Sequence, residues 1–229
     1  MKIKKLNCNL STCSMCRLCK EEWLPAIDSN RKTFLYKKGE LLFKEGEAVK
    51  GMYFINEGLV KVHKKWDDEK DLILRFAKNG AIAGHRGLGS DTIYPASATA
   101  LMDTRVCFVE IDFFISTLKV NTEYLFELML FFAAELKESE RKMRNLAHMP
   151  AKGRIALAIK SLQEKFGIDT DGFINISLSR QDLAAYTGTT YETLFRILNE
   201  LAVEKIISIT KSTIKIMDIT KLLSFDVQH

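Results

Sequence analysis

The hydrophobic pattern of the chain changes its period near residue 121, and this change limits the possible folds more than any other feature. From about residue 32 to residue 114, short runs rich in β-branched and aromatic residues alternate with glycines, as in FLYKKGELLFKEGE and GMYFINEGLVKVHKK. Residues 121–148 then contain no glycine or proline. Many short strands at regular spacing predict an antiparallel jelly roll or barrel, and the segment after them predicts one long helix.

The predicted long helix carries a heptad seam over about three heptads. Its positions alternate by four and three residues and are apolar except for one serine: Leu125, Met129, Phe132, Leu136, Ser139, Met143 and Leu146. Such a seam packs against the same helix of a second chain or only against its own barrel. We favour the homodimer, because the seam is narrow and the barrel is small. Pro150 is expected to end the helix and form a hinge.

The order of elements after Pro150 is that of a winged helix-turn-helix. The pattern predicts a helix over KGRIALAIKSLQEKFG, a short strand over FINISL, two short helices around TGTT, and a hairpin of KIISIT and TIKIMD joined by Lys211 and Ser212. With the preceding barrel, this order predicts an α+β chain.

The segment SRQDLAAYTGTTYETLFRILNEL contains the signals of two capped helices around a turn. Ser179 with Asp182 three residues later predicts the first cap, Gly188 predicts the turn, and Thr189 or Thr190 predicts the second cap. The second helix has a buried stripe of Leu194, Ile197, Leu198 and Leu201. Its opposite face therefore presents Tyr191, Glu192, Phe195 and Arg196.

This segment resembles the helix-turn-helix of the CRP/FNR family of transcription regulators. The family pattern [ST]-R-x-[DE]-[IL]…G-x-[ST]-x-E-T-[VI]-x-R-[IL]-L is met by Ser179, Arg180, Asp182, Leu183, Gly188, Thr190, Glu192, Thr193, Arg196, Ile197 and Leu198. The resemblance implies a homodimer that binds a palindromic site in double-stranded DNA and works with RNA polymerase. It also implies an N-terminal sensor barrel.

The resemblance assigns base reading to Glu192 and Arg196, one helical turn apart. An arginine can donate twice to guanine, and a carboxylate can accept from cytosine. Tyr191 and Phe195 share this face but depart from residues of well-known members, so we expect a different half-site with an apolar contact to a thymine methyl. Phosphate contacts are expected from Ser179, Arg180, Thr190, Thr193 and Lys211. At this spacing Glu192 and Arg196 can also hold each other in position. The simpler alternatives make Glu192 only the capping-box partner of Thr189, or Glu192 and Arg196 only a surface ion pair.

Charge and composition narrow the class of protein. The formal net charge is +5, but residues 151–229 hold ten basic and nine acidic side chains, so specific binding must depend on placement and dimeric avidity. The four histidines are scattered, which argues against a cupin-type metalloenzyme and against an enzyme in general. No apolar run reaches the length of a membrane span and no signal peptide is visible, so we expect a cytoplasmic protein without membrane contact.

The expected sensor domain departs from the cyclic-AMP-binding members of the family. His85 stands in place of the ribose-binding glutamate, and the segment from Tyr94 to Ser97 lacks the arginine that holds the phosphate. These departures argue against cyclic AMP. His85 and Arg86 are candidate effector residues for another anionic ligand, and the alternative is an exposed, solvated loop pair.

Four of the five cysteines lie between positions 8 and 19. The spacing of Cys13, Cys16 and Cys19 reproduces the first three ligands of a ferredoxin-type run, so a [4Fe-4S] cluster is the leading cofactor hypothesis. Its fourth ligand is Cys8 or Cys107, and the resemblance favours Cys107, although the N-terminal spacing differs from that of the family. A zinc site of Cys8, Cys13, Cys16 and Cys19, thiols without a metal, haem binding and an inactive sensor stay open.

The resulting domain prediction has four parts. Residues 1–30 form a cysteine-rich segment, and residues 31–120 form a β-barrel sensor domain like a cyclic-nucleotide-binding domain. Residues 121–149 form the dimerisation helix, and residues 150–229 form the winged helix-turn-helix DNA-binding domain.

Overall fold

The computed structural model describes residues 13–65 and 71–225, so Cys8 lies outside the described residues. The described chain forms two compact units, residues 13–65 with 74–136, and residues 71–73 with 137–225. The first unit begins with helix α1 (Ser14–Leu18), a 3-10 turn (Glu21–Trp23) and helix α2 (Leu24–Asn30).

Two four-stranded sheets form the β-rich part. The strands are β1 (Arg31–Tyr36), β2 (Leu41–Phe43), β3 (Gly51–Glu57), β4 (Val60–Lys65), β5 (Asp71–Ala77), β6 (Ile82–Ala83), β7 (Ser97–Ala100) and β8 (Thr104–Glu110). One sheet has the order β1-β8-β3-β6 and the other β2-β7-β4-β5. The paired strands β1 with β8, β3 with β8 and β4 with β7 run antiparallel. The predicted antiparallel β domain is confirmed.

Strand β3 is central in its sheet, and its first five residues are all buried. A central strand covered on both faces reads as a continuous apolar run, which explains the sequence GMYFI. Helix α3 (Ile111–Val120) contributes to this cover, because the rings of Phe54 and Phe114 lie 6.2 Å apart.

Helix α4 (Thr122–His148) is the predicted long helix. It buries Tyr124 and Leu128 against the first unit. Phe132 is partly buried against the same core, but the other apolar seam positions are largely exposed in the single chain, at 40–64% for Leu125, Met129, Leu136, Met143 and Leu146. Part of the seam therefore has no cover within the described chain.

The second unit contains the predicted helices and hairpin. They are α5 (Ala151–Phe166), α6 (Arg180–Thr187), α7 (Tyr191–Val203), β9 (Ile207–Thr210), β10 (Thr213–Ile216) and α8 (Ile219–Leu223). Strands β9 and β10 pair antiparallel, with Thr210 opposite Thr213. The predicted short strand over FINISL is wrong, because that segment forms only an isolated bridge between Ile168 and Ile174.

The α+β fold prediction is confirmed by the sheets, the long helix and the helix-turn-helix with its hairpin. Within the described ranges, no helix is both long and apolar enough to cross a membrane.

Candidate nucleic-acid interface and sensor residues

Two hydroxyl side chains fix where the helices of the helix-turn-helix begin. Ser179 Oγ accepts from the Asp182 backbone N–H at 3.0 Å, and its hydroxyl donates to Asp182 Oδ2 at 2.6 Å. Thr190 Oγ1 accepts from the Thr193 backbone N–H at 3.2 Å. The predicted caps are confirmed, and Thr190 is the one that caps α7.

The turn between the helices is held by a residue that sequence reasoning missed. Gly188 ends α6 in the left-handed region, with φ 62° and ψ 41°. Arg154 of α5 donates to the backbone carbonyls of Met149, Thr187 and Gly188 at 2.7–3.1 Å. A cation on the last carbonyls of a helix is favourable, so Arg154 ties the turn to α5.

Helix α7 separates a buried stripe from an exposed face, as predicted. Leu194, Ile197, Leu198 and Leu201 are at most 3% exposed. Tyr191 and Phe195 are 46% and 51% exposed, and their stacked rings have centroids 6.2 Å apart. Glu192 and Arg196 are exposed beside them. All four expected base-reading residues therefore lie on one accessible face.

Arg196 does not pair with Glu192, so the expectation that the two hold each other is wrong in this structure. Arg196 Nη1 lies 2.6 Å from Glu200 Oε1, one turn further along α7. The Glu200 carboxylate also lies 3.7 Å from Lys152 Nζ of α5. The guanidinium is thus held by a residue that the sequence motif did not single out.

The expected phosphate-contacting residues are partly engaged within the protein. The hydroxyls of Ser179 and Thr190 serve as caps. Arg180 is half-buried and donates through Nη2 to the Lys211 carbonyl at 3.2 Å. Lys211 is exposed at the tip of the β9–β10 hairpin, with φ 54°. Arg180 therefore connects the start of α6 to the wing.

His85 is buried, so the alternative of an exposed loop pair is wrong for this residue. It begins a 3-10 turn (His85–Gly87), is 2% exposed, and its ring lies 5.1 Å from that of Phe131 and 5.3 Å from that of Phe132. Neither ring nitrogen has a hydrogen-bond partner. Burial, followed by the charge of Arg75, lowers the pKa of His85 to about 3. His85 is therefore neutral at physiological pH.

A carboxylate of α4 joins two arginines next to His85. Glu135 Oε2 lies 2.8 Å from Arg86 Nη2, and Glu135 Oε1 lies 3.4 Å from Arg75 Nη1. Arg75 also donates to the Ile82 carbonyl. Sequence reasoning missed Arg75 and Glu135, although a single arginine within the apolar run DLILRFA was a usable signal.

The space expected to hold an effector is almost filled by side chains. A cavity of about 10 Å³ remains beside His85 and Arg86, lined also by Phe43 and Tyr94. The rings of Phe43 and Tyr94 stack at 4.1 Å, and the Tyr94 hydroxyl donates to the Gly51 carbonyl at 2.8 Å. This volume holds about one water molecule.

The N-terminal cysteines share one buried cluster. Cys13, Cys16 and Cys19 are 5–9% exposed, and all three lie close enough to Tyr124 to raise the pKa of its hydroxyl, which burial raises most. Burial and the neighbouring Cys13 raise the pKa of Cys19 to about 12. The Cys19 thiol is therefore protonated in the structure as it stands.

Thiol chemistry suits an iron–sulfur or zinc site, but the described side chains are not arranged as one. Within residues 13–65 and 71–225, no three histidine, cysteine, aspartate or glutamate side chains are placed to hold a metal ion. Cys107 is a buried residue of β8 and does not complete such a group. The cluster and its ligands remain predictions.

Two families match separate parts of the chain. Residues 33–121 match the model of a cyclic nucleotide-binding domain, and residues 153–225 match the model of a Crp-like helix-turn-helix domain. The anaerobic regulatory protein of Bacillus subtilis is 31% identical over 194 residues, which cover 83% of this chain and 80% of that protein. The cAMP-activated global transcriptional regulator CRP of Escherichia coli O157:H7 is 30% identical over 183 residues, or 78% and 86% of the two chains.

Solved structures show the same fold. A CooA mutant from Carboxydothermus hydrogenoformans has a TM-score of 0.78 at 18% identity, covering 99% of this chain and 98% of that one. FixK2 from Bradyrhizobium japonicum has a TM-score of 0.77 at 24% identity, covering 87% and 98%.

Proposed function

The chain belongs to the CRP/FNR family of transcription regulators, and from this we propose that it reads a palindromic DNA operator with α7. The observation that supports this most directly is the exposed face of α7, where Tyr191, Glu192, Phe195 and Arg196 stand together. A recognition helix of this kind enters the major groove with its N-terminal residues on base edges. The four residues are its proposed base readers.

The test is operator selection from a random DNA library, followed by footprinting and gel-shift titration. Glu192→Ala and Arg196→Ala should each weaken specific binding about tenfold or more, with relaxed preference at one position of each half-site. Val203→Ala is the control, because Val203 lies on the last turn of α7 and is 83% exposed. A single asymmetric site, or unchanged binding by both variants, would contradict the proposal.

We propose that the exposed seam of α4 is covered by a second copy of the chain. Seam residues such as Leu136 and Met143 are 60% and 64% exposed, and a heptad seam is the pattern that pairs parallel helices. Leu136→Glu should therefore yield a monomer by light scattering and lose operator binding. Ala134→Glu, at an exposed position on the side of α4 opposite the seam, is the matched control and should stay dimeric. A monomeric wild type would contradict the proposal.

We propose that the regulator senses redox state or oxygen through its N-terminal cysteines and not through cyclic AMP. Three buried thiols in one cluster and a relative named as an anaerobic regulatory protein support the first part. The cavity of about 10 Å³ beside His85 supports the second. A [4Fe-4S] cluster would supply redox chemistry, with Cys13, Cys16 and Cys19 as ligands and Cys8 or Cys107 as the fourth. Binding it would require these side chains to leave the arrangement described above.

Anaerobic purification with iron and sulfide analysis and a visible spectrum tests the cysteine proposal. The expected result is a broad visible absorbance that Cys16→Ser abolishes, together with oxygen-dependent operator binding. Colourless, iron-free protein that binds its operator equally with and without oxygen would contradict it.

Stoichiometric zinc would identify the alternative metal. A Soret band after haem addition would identify the haem alternative. The contact with RNA polymerase stays a prediction of the family resemblance.

A further inference from the structure

The charges around Glu135 do not balance. One carboxylate faces two guanidinium groups, those of Arg75 and Arg86, at 3.4 Å and 2.8 Å. The Arg75 and Glu135 side chains are only 10% and 18% exposed, so water screens these charges weakly. His85 adds no charge and presents two unpartnered ring nitrogens. The group has the composition of a site for an anion.

The anion that faces the two arginines is a side chain of the protein itself, the Glu135 carboxylate. Glu135 reaches both arginines from α4, while Arg75 comes from β5 and Arg86 from the turn after β6. Arg75 is fixed further by the Ile82 carbonyl and by Phe131, whose ring centroid lies 5.4 Å from its guanidinium carbon. The cavity that remains beside this group is about 10 Å³, too small for any ligand beyond one water.

We propose that this part of the sensor barrel is an anion site whose ligand is built into the chain, the Glu135 carboxylate of α4. The site takes a single carboxylate between Arg75 and Arg86. Glu135 thereby connects α4 to the strands without a diffusible effector. The inference is independent of the cysteine proposal.

Removal of the built-in ligand should convert the site into a receptor for a small carboxylate. Glu135→Ala shortens the side chain and leaves two arginines without their counter-ion, and truncating one partner of a buried pair is strongly destabilising. Formate and acetate are the probes, because they carry the deleted group and little else.

The experiment is thermal unfolding of the full-length protein with added sodium formate or acetate, against sodium chloride at equal ionic strength. Glu135→Ala should lower the melting temperature by about 5 °C or more, and formate should restore at least half of that loss. Glu127→Ala, an exposed glutamate two turns earlier on α4, should melt like the wild type and gain nothing from formate. The wild type should gain nothing from formate or from cyclic AMP.

Two results would overturn the proposal. One is a destabilised Glu135→Ala variant that formate and acetate do not rescue, which would leave Glu135 a structural residue only. The other is a wild type stabilised by formate or cyclic AMP, which would mean that the site is open. If Glu135→Ala does not fold, Glu135→Gln replaces it. This variant keeps the shape without the charge, and melting like the wild type would also overturn the proposal.

Discussion

Arg196 Nη1 lies 2.6 Å from Glu200 Oε1. The guanidinium that is expected to read a base therefore forms an ion pair with a carboxylate one helical turn away. This pair is exposed, with side chains 65% and 38% accessible, and is therefore weak. In the proposed DNA complex, we expect so weak a partner to release the arginine when guanine offers two acceptors.

Glu200→Gln should tighten operator binding up to about fivefold, because the exposed pair is worth at most about 1 kcal/mol and the variant removes a negative charge near the DNA. The gain should shrink at high salt. Gel-shift titration at two salt concentrations measures it. Glu164→Gln is the control, because Glu164 pairs with Lys160 on α5 at 3.3 Å. Weaker binding by Glu200→Gln would mean that Glu200 preorganises Arg196 and that its loss is costly.

Thr190→Ala should lower the free energy of unfolding by about 1 kcal/mol, because the side chain that accepts from the Thr193 N–H is lost. Thr190→Ser keeps the hydroxyl and should lose much less. Urea unfolding without DNA separates this effect from any phosphate contact. Equal losses in both variants would show that the methyl group, and not the cap, stabilises α7.

Gly188→Ala should destabilise the helix-turn-helix by about 1–3 kcal/mol. The residue has φ +62°, and an added Cβ would lie 2.4 Å from Leu146 Cδ2. The double variant with Leu146→Ala should cost less than the sum of the two single changes, because the steric conflict is gone. Gly46→Ala, at φ +84° in open space, isolates the backbone cost. Strict additivity at Gly188 and Leu146 would argue against the close approach.

His85→Leu should change how the free energy of unfolding depends on pH below neutrality. The pKa of His85 falls from an ordinary 6.5 to about 3 on folding, because of burial and then Arg75, while Glu135 opposes this and Arg86 adds to it. As the pH falls, the unfolded chain therefore takes up a proton on His85 before the folded chain does. The stability that depends on neutral His85 is fully present above pH 6.5 and is lost as the pH falls toward 3. The variant should lose less stability than the wild type over that range.

Urea unfolding at pH 7, 5.5 and 4 measures this difference. At pH 7 the leucine variant should be at least as stable as the wild type, because both ring nitrogens lack partners. Parallel pH curves for the two proteins would show that His85 stays accessible to protons in the folded chain.

Local signals predicted most of the fold and the exposed face of α7. Ser179, Thr190 and Gly188 act within their own helix ends, so their roles follow from a few neighbouring residues. The spacing of the apolar positions on α7 likewise predicted which of its side chains are exposed. The predicted strand over FINISL failed because Ile174 alone forms a β-bridge there, an isolated one with Ile168.

The remaining features depend on residues far apart in the chain. Arg75 and Glu135 are 60 positions apart, and no local pattern predicts that they meet. Arg154 likewise donates to the carbonyls of Thr187 and Gly188, more than thirty positions away, so no local pattern predicts these hydrogen bonds. Glu192 and Glu200 are equally spaced from Arg196, so the sequence alone could not choose between them.

The close stacking of Phe43 on Tyr94 has an evolutionary consequence. If the barrel takes no diffusible effector, as proposed, a metabolite could bind there only after the two aromatic rings or the Glu135 carboxylate had been displaced, and a single substitution rarely achieves this. Under the proposed function, substitutions that change the stimulus are therefore expected in the cysteine segment and on the faces of α4, and not in the interior of the barrel.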